Sequence, residues 1–137
     1  MKALAALMSP SERKFCDSEV KDLLPKGLIE PSRSPWASRV FVVNKQSEQK
    51  RGKPRLVVNF KPLNAALQKV RYPLLDKASL LQRIAGCTIF SKFDLKSGFY
   101  QIGITPKDRF NTTFVIPHGQ YQWTVLPFGI NNAPSEF

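Results

Sequence analysis

Apolar residues at helical spacing predict a helix near the start of the chain. The letters "SPSE" at residues 9–12 form a capping box, with Pro10 at the first helical position. Apolar positions then recur every three or four residues: Cys16, Val20, Leu23 and Leu24. Pro25 and Gly27 follow this pattern, so the helix is predicted to end there.

Two short apolar runs in the next part of the chain predict a β-hairpin. They are "RVFVV" at residues 39–43 and "RLVVNF" at residues 55–60, and both are rich in β-branched side chains. The polar and basic stretch "NKQSEQKRGK" at residues 44–53 separates them, so we expect a hairpin with a long basic loop. The preceding "IEPSRSPWA" at residues 29–37 predicts a turn-rich connector.

The second half of the chain combines helical and strand-like patterns. "KPLNAALQKV" at residues 61–70 predicts a short helix or turn, and "YPLLDKASLLQRIAG" at residues 72–86 predicts a helix that stops at Gly86. Four further strands are predicted from short apolar or alternating runs, at residues 88–95, 100–104, 112–116 and 121–128. This mixture of elements indicates an α+β fold.

The last residues, "NNAPSEF" at 131–137, predict the start of one more helix, with Pro134 near its first turn. A helix this short does not stand alone, because its nucleation is unfavourable and its propagation has barely begun. We therefore expect that the chain is cut within an element.

The net positive charge of the chain restricts the class of molecules that it is expected to bind. The chain of 137 residues has a formal net charge of +11. Residues 39–83 contain eleven lysines and arginines against two acidic residues, which leaves +9 of that total. Such a field attracts nucleic acid, and a solvated basic surface is the alternative. Trp36 and Trp123 could stack on bases, although core packing also suits Trp123.

Cysteine usage and hydropathy indicate an intracellular protein that does not span a membrane. Cys16 and Cys87 stand far apart, without the spacing of a metal site, which is typical of a reduced intracellular chain. No apolar run approaches the roughly 20 residues that a membrane-spanning helix needs.

Asp94 is the most informative acidic residue, because it lies inside the apolar run "FSKFDLKSGFYQI" at residues 90–102. A carboxylate buried at the end of a central strand loses its hydration, so it needs compensation. A metal ion, the ammonium group of Lys92 or the backbone N–H groups of the turn at residues 96–98 could each provide it. The spacing of residues alone leaves these alternatives open.

Four stretches resemble, in the same order, the motifs of reverse transcriptases. They are "SPWASRVFVVNK" at 34–45, "GKPRLVVNFKPLN" at 52–64, "IFSKFDLKSGFYQIGI" at 89–104 and "QYQWTVLPFGINNAPSEF" at 120–137. The residues in these motifs are most similar to those of plant pararetroviruses, the caulimovirus and badnavirus group. Related long-terminal-repeat retroelements are the next most similar.

The resemblance implies an α+β fold with reverse-transcriptase-like fingers and a partial palm, truncated before the family's Tyr-x-Asp-Asp hairpin. It divides the chain into an N-terminal helix or extension at residues 1–27, a fingers-like hairpin with helices at 28–86 and a partial palm at 87–137.

The resemblance also implies roles at a polymerase active site. It makes Asp94 the catalytic aspartate, which binds two Mg²⁺ ions with help from the backbone carbonyl of Leu95, since hard cations need oxygen ligands. It assigns Lys45 and Arg55 to the phosphates of an incoming deoxynucleotide. The alternatives are a loop lysine and a strand-end arginine that both extend into solvent.

Aromatic and polar positions complete the implied site. Phe99 corresponds to a steric gate that excludes a ribose 2′-hydroxyl, although a ring after a glycine also suits core packing. Phe128 and Gly129 correspond to the loop that borders nucleotide and template, where phenylalanine offers apolar contact and no hydrogen bond. Three further residues are expected to contact the primer–template: Lys53, Lys61 and Asn64.

Two hypotheses about function follow from the resemblance. The first is a segment of an RNA-directed DNA polymerase within a larger Pol polyprotein, whose remaining palm, thumb and ribonuclease H portion lie elsewhere. The sequence contains no Asp-Asp pair, and Asp94 alone cannot hold two divalent ions, so the isolated chain is expected to lack polymerase activity. The second hypothesis is a non-catalytic, basic nucleic-acid-binding remnant of a retroelement.

Overall fold

Two antiparallel β-sheets and one long helix organise the chain. The computed structural model describes residues 8–43, 54–73 and 75–137. One sheet has three strands, in the order β1 (Ile29–Pro31), β5 (Gly119–Trp123) and β4 (Phe114–Ile116). The other sheet is the pair of β2 (Val40–Val43) and β3 (Arg55–Val58). The predicted loop at residues 44–53 lies outside the described residues. Within the described ranges, no helix is both long and apolar enough to cross a membrane.

The first helix, α1 (Pro10–Leu23), confirms the predicted capping box. The Ser9 hydroxyl accepts a hydrogen bond from the Glu12 N–H at 3.3 Å, and the Glu12 carboxylate accepts one from the Ser9 N–H at 2.7 Å. Gly27 follows the helix with a φ of 70°, a value that only glycine adopts without steric cost. The helix buries three side chains in the core: Cys16, Val20 and Leu23.

The three-stranded sheet contains one strand that the sequence did not predict. It consists of β1 (Ile29–Pro31), β4 (Phe114–Ile116) and β5 (Gly119–Trp123). β4 lies within the strand predicted at residues 112–116, and β5 confirms the strand predicted at 121–128 only up to Trp123. Residues 29–31 were expected to be part of a connector. They form a strand because β5 pairs with them in antiparallel register, with Ile29 opposite Trp123.

The predicted hairpin is confirmed by β2 (Val40–Val43) and β3 (Arg55–Val58), which are antiparallel. A short backbone connection joins this hairpin to the other sheet. The Ser38 N–H donates to the Thr113 carbonyl at 2.8 Å, and the Val115 N–H donates to the Ser38 carbonyl at 3.2 Å. The hairpin is therefore attached at its base to the edge of β4.

The predicted helices of the second half are confirmed as α2 (Lys61–Ala66), α3 (Lys77–Ile84) and α4 (Ala133–Glu136). The carboxylate of Asp76 caps α3 by accepting a hydrogen bond from the Ser79 N–H at 2.9 Å. No side chain of α3 is buried among the described residues.

The strand predicted at residues 88–95 is wrong. No described residue pairs with it as a β-ladder, and its side chains are exposed, 88% for Ile89 and 90% for Phe93. Apolar, β-branched composition favours a strand, but the strand forms only where a neighbour supplies the other half of each hydrogen bond.

The strand predicted at residues 100–104 is also wrong over most of its length. Gly98–Gln101 form a 3₁₀ helix that starts after Ser97, whose φ is 50°. The chain then extends, and Gly103 makes an isolated antiparallel bridge with Val125. A second 3₁₀ helix, Pro106–Thr112, leads into β4.

The core lies between α1, the two sheets and the loop before α4. Its fully buried members come from distant parts of the sequence, as Cys16, Ile29, Phe60 and Phe114 illustrate. Both cysteines are free, with Cys16 buried and Cys87 exposed. The core packs residues from both halves of the chain, so the two halves fold onto one another.

Candidate functional site

One open cleft brings together four of the predicted site residues. Its volume is about 540 Å³, and its walls are Phe93, Asp94, Leu95, Gly98, Phe99, Phe128 and Phe137. Apart from the Asp94 carboxylate, the lining side chains are apolar or absent. The cleft therefore combines one acid with flat aromatic walls.

Asp94 is exposed, which corrects the prediction of a buried carboxylate at a strand end. Neither Lys92 nor the turn that follows forms a hydrogen bond or ion pair with it in the part of the chain that the structure describes. The carboxylate keeps its hydration at this position, so it needs no protein partner to offset burial.

The turn after Asp94 depends on Ser97 and Gly98. Ser97 adopts the left-handed conformation, and the Gln101 amide donates to the Lys96 carbonyl at 3.2 Å across the turn. A Cβ atom at Gly98 would lie 3.0 Å from two carbons of the Phe137 ring, a contact so tight that the ring would have to shift. The absence of a side chain at residue 98 therefore lets Phe137 close one wall of the cleft.

Three phenylalanine rings form the apolar wall. The ring of Phe99 lies 5.2 Å from that of Phe128 and 5.8 Å from that of Phe137, both within the range of favourable aromatic contacts. Phe99 is half-buried, so it packs against its neighbours while part of its ring faces the cleft. Sequence patterns did not indicate Phe93 or Phe137 as lining residues, because neither belongs to a periodic element on the cleft side.

Asn64 fixes the loop that carries Phe128 and Gly129. Its side-chain amide donates to the Gly129 carbonyl at 2.8 Å, and its side-chain oxygen accepts from the Asn131 N–H at 2.9 Å. Gly129 has a φ of 99°, which a side chain would strain. The residue predicted to contact nucleic acid thus also holds one wall of the cleft in place.

The other predicted basic residues do not line the cleft. Arg55 begins β3 opposite Val43 and is exposed, and Lys61 is the exposed first residue of α2. Lys45 and Lys53 lie outside the described residues. The structure therefore assembles the acid and the aromatic residues of the predicted site, and it leaves Arg55 and Lys61 on neighbouring surfaces.

The residues of the cleft do not by themselves form the predicted pair of Mg²⁺ sites. A Mg²⁺ ion takes about six oxygen ligands in near-octahedral geometry. The cleft offers one carboxylate, and the described segments contain no group of three or more His, Cys, Asp and Glu side chains that could hold a metal ion. Asp94 can contribute ligands to such a site but cannot complete it.

The two tryptophans have different environments. Trp123 is 5% exposed and belongs to the core, whereas Trp36 is 68% exposed. Trp36 lies at the edge of a second groove of about 380 Å³, whose other walls include Arg39, Asn59 and Asn111. Of the two, Trp36 is the residue that can stack on a base.

Comparison with known proteins identifies the family. The family model for reverse transcriptase (RNA-dependent DNA polymerase) matches residues 43–137. The chain is 48% identical over 136 residues to the genome polyprotein of Petunia vein clearing virus and 45% identical over 129 residues to the enzymatic polyprotein of Cauliflower mosaic virus. These matches cover 99% and 94% of the chain, but only 6% and 19% of the two polyproteins.

A solved structure supports the same conclusion about the fold. The chain is similar to the protease–reverse transcriptase of Prototype Foamy Virus, with a TM-score of 0.75 and 27% sequence identity. The match covers 95% of this chain and 17% of the viral chain. The predicted α+β fold and the resemblance to reverse transcriptases of plant pararetroviruses are therefore confirmed.

We expect Asn64→Ala to loosen the loop at residues 128–131, because the Gly129 carbonyl and the Asn131 N–H both lose their partner. Amide hydrogen exchange at Asn131 should accelerate about tenfold, the effect of losing one hydrogen bond. Gln68→Ala is the matched control, because the Gln68 side chain is exposed and makes no hydrogen bond to another described residue. Unchanged exchange at Asn131 would contradict this role of Asn64.

Proposed function

Because the chain belongs to the reverse transcriptase family, we propose that it is a segment of an RNA-directed DNA polymerase that binds a primer–template and a deoxynucleotide. The convergence of Asp94, Phe99 and Phe128 on one cleft is the observation that carries this proposal. Since the relatives are polyproteins much longer than this chain, the rest of a Pol polyprotein is the proposed partner that completes the enzyme.

Asp94 is the proposed catalytic residue, with the backbone carbonyl of Leu95 as a second oxygen ligand for Mg²⁺. Its exposure supports this role, because a hydrated carboxylate at the wall of a cleft can exchange water for a metal ion or a substrate. The ligands that the described residues lack would come from the partner segment. The 137 residues by themselves are proposed to be inactive.

The aromatic wall of the cleft is the proposed binding surface for the sugar and base of the nucleotide. Phe99 presents a half-buried ring, which would collide with a ribose 2′-hydroxyl and accept a deoxyribose. Phe128 offers apolar contact, and Gly129 lets the backbone approach the nucleotide closely. Arg55 and Lys45 are the proposed phosphate ligands, with the guanidinium suited to bidentate contact.

The basic surface is the proposed path of the primer–template. Lys53 and Lys61 would contact phosphates, and Asn64 would use the amide hydrogen and the oxygen lone pair that its loop contacts leave available. Trp36 and Arg39, which both line the second groove, add a stacking platform and a positive charge.

A second candidate function is nucleic-acid binding without catalysis. The observation that favours it is the single carboxylate in the cleft, together with the absence of an acidic metal-binding cluster in the described segments. The basic surface and the exposed Trp36 ring serve this function equally well. The two candidates differ in whether nucleotide addition appears once the missing carboxylates are supplied.

Primer extension with Mg²⁺ separates the two candidates. The 137-residue chain is expected to add no nucleotides. A chimera that continues into the following residues of the Petunia vein clearing virus polyprotein is expected to extend the primer. In the chimera, Asp94→Asn should reduce extension about 10³-fold, because the amide withdraws a charged metal ligand, while primer–template binding stays nearly unchanged.

Asp108→Asn is the matched control for Asp94→Asn, because Asp108 is an exposed acid in the second 3₁₀ helix, outside the cleft. It should leave extension unchanged. An active Asp94→Asn chimera would remove Asp94 from the catalytic site. An inactive chimera that still binds primer–template would support the non-catalytic function.

The proposed role of Phe99 as a steric gate predicts that the active chimera with Phe99→Val incorporates ribonucleotides. The ratio of ribonucleotide to deoxyribonucleotide incorporation should rise about tenfold or more, because the ring that excludes the 2′-hydroxyl is gone. Phe110→Val removes a partly exposed ring outside the cleft and serves as the control. Unchanged sugar selectivity in a folded Phe99→Val chimera would show that Phe99 only packs against its neighbours.

Nucleic-acid binding by the isolated chain should weaken steeply as salt rises. Each phosphate contact contributes about 0.7–0.9 log units of affinity per tenfold change in salt concentration. Lys61→Ala removes one such contact, so it should make the slope of log affinity against log salt concentration shallower by about that amount. Lys26→Ala is the control, because Lys26, which follows α1, already pairs with the exposed Asp22 at 2.9 Å. Fluorescence anisotropy with a labelled duplex measures both slopes, and a flat salt response would contradict the basic path.

A further inference from the structure

The indole N–H of Trp123 is buried and has no hydrogen-bond partner among the residues that the structure describes. It is the one side-chain nitrogen or oxygen atom in this position among the described residues. Folded proteins pair nearly all such groups, because a buried donor without an acceptor has lost its hydration and gained nothing in return. This donor is therefore available to an acceptor from outside the described residues.

Trp123 lines a small cavity between α1, β3 and the loop at residues 128–129. The volume is about 150 Å³, and the lining residues are Glu19, Leu23, Leu56, Val57, Val58, Tyr100, Trp123, Phe128 and Gly129. Val57 and Phe128 are partly exposed, so a small molecule can enter from their side. A cavity of about 150 Å³ is known to hold one six-membered aromatic ring.

Two further residues with polar side chains, Glu19 and Tyr100, line this cavity. Neither the Glu19 carboxyl nor the Tyr100 hydroxyl forms a hydrogen bond to another described residue. Burial raises the pKa of Glu19, with the nearby Asp22 adding to the effect and Lys26 opposing it. Burial also raises the pKa of Tyr100, and the charge of Glu19 adds to that effect, so the two groups lie close together.

The walls of the cavity suit a flat apolar body. The ring of Tyr100 stacks on that of Trp123 with centroids 5.5 Å apart and planes 30° apart, and it meets Phe128 edge-on at 5.4 Å. Aliphatic side chains, among them Leu23 and Val58, complete the lining. An aromatic ring would bury its faces here while its polar edge reaches the unpaired groups.

We propose that this cavity binds a small neutral aromatic molecule with one hydroxyl group, of the phenol class. The hydroxyl oxygen accepts a hydrogen bond from the Trp123 N–H, and the hydroxyl hydrogen is donated to the Glu19 carboxylate. A cation is disfavoured because it offers the indole no acceptor, and a carboxylate ligand is disfavoured because Glu19 repels it. This site is separate from the cleft of Asp94, but Phe128 is a wall of both.

Because Phe128 is a wall of both the cavity and the cleft, a ligand in the cavity affects the cleft. A ligand behind Phe128 restricts the motion of its ring, and that ring also borders Asp94 and Phe99 in the cleft. Occupancy of the cavity thus couples to the shape of the proposed nucleotide site. Binding itself does not depend on the proposed polymerase function, so the two can fail separately.

The test is a titration of the ¹⁵N-labelled 137-residue chain with phenol, and with toluene as the ligand that lacks the hydroxyl. The spectrum contains two indole N–H signals, from Trp36 and Trp123, and Trp36→Phe assigns them. Phenol should shift the Trp123 signal in a saturable manner and leave Trp36 unchanged. Toluene should bind at least about thirtyfold more weakly by calorimetry, because it loses both the hydrogen bond from the indole and the hydrogen bond to the charged Glu19.

Variants of α1 test the role of Glu19. Glu19→Leu should weaken phenol binding about tenfold, while phenol still binds more tightly than toluene because its hydrogen bond with the Trp123 N–H remains. Ser18→Ala, an exposed change beside Glu19 on the same helix, should leave it unchanged. Equal affinity for phenol and toluene, an equal shift of both indole signals, or a Trp123 N–H that contacts only water at saturating phenol would each overturn the proposal.

Discussion

The backbone hydrogen bonds of β5 and of the residues that continue it hold together the two segments that form the cleft. β5 pairs with β1 on one side and with β4 on the other. Beyond Trp123 the same chain reaches Gly103, where the Leu126 N–H donates to the Ile102 carbonyl at 2.8 Å. Because buried backbone groups must be paired, these bonds fix the loop at 128–129 relative to the turn after Asp94.

An exposed acid among aromatic rings gives the cleft its chemical character. Asp94 keeps its hydration, while Phe99 and Phe128 pack beside it with their ring planes tilted by 56°. Such a surface suits a ligand with both a charged part and a flat part, as a metal-bound nucleotide has. The cleft is shaped by Gly98, which admits the Phe137 ring, and by Asn64, which anchors the opposite loop.

Sequence motifs indicated which residues belong to the candidate site, but not how they are arranged. Asp94, Phe99 and Phe128 share one cleft as expected, whereas Arg55 and Lys61 lie on other surfaces. The second role of Asn64, as the anchor of a loop 65 residues away, has no signal in the pattern around it. Such contacts depend on side chains that meet only after the chain has folded.

The sequence by itself determined the elements whose hydrogen bonds are local: α1 with its capping box, the hairpin of β2 and β3, and the short helices α2 and α3. The hydrogen-bond partners in these elements lie within a few residues or across one loop, so the local sequence is enough to predict the elements. Only the tertiary structure decided that residues 29–31 pair with β5, that residues 88–95 do not form a strand, and that Asp94 is exposed. A strand exists only where a distant segment completes its hydrogen bonds, and burial exists only where distant side chains cover a surface.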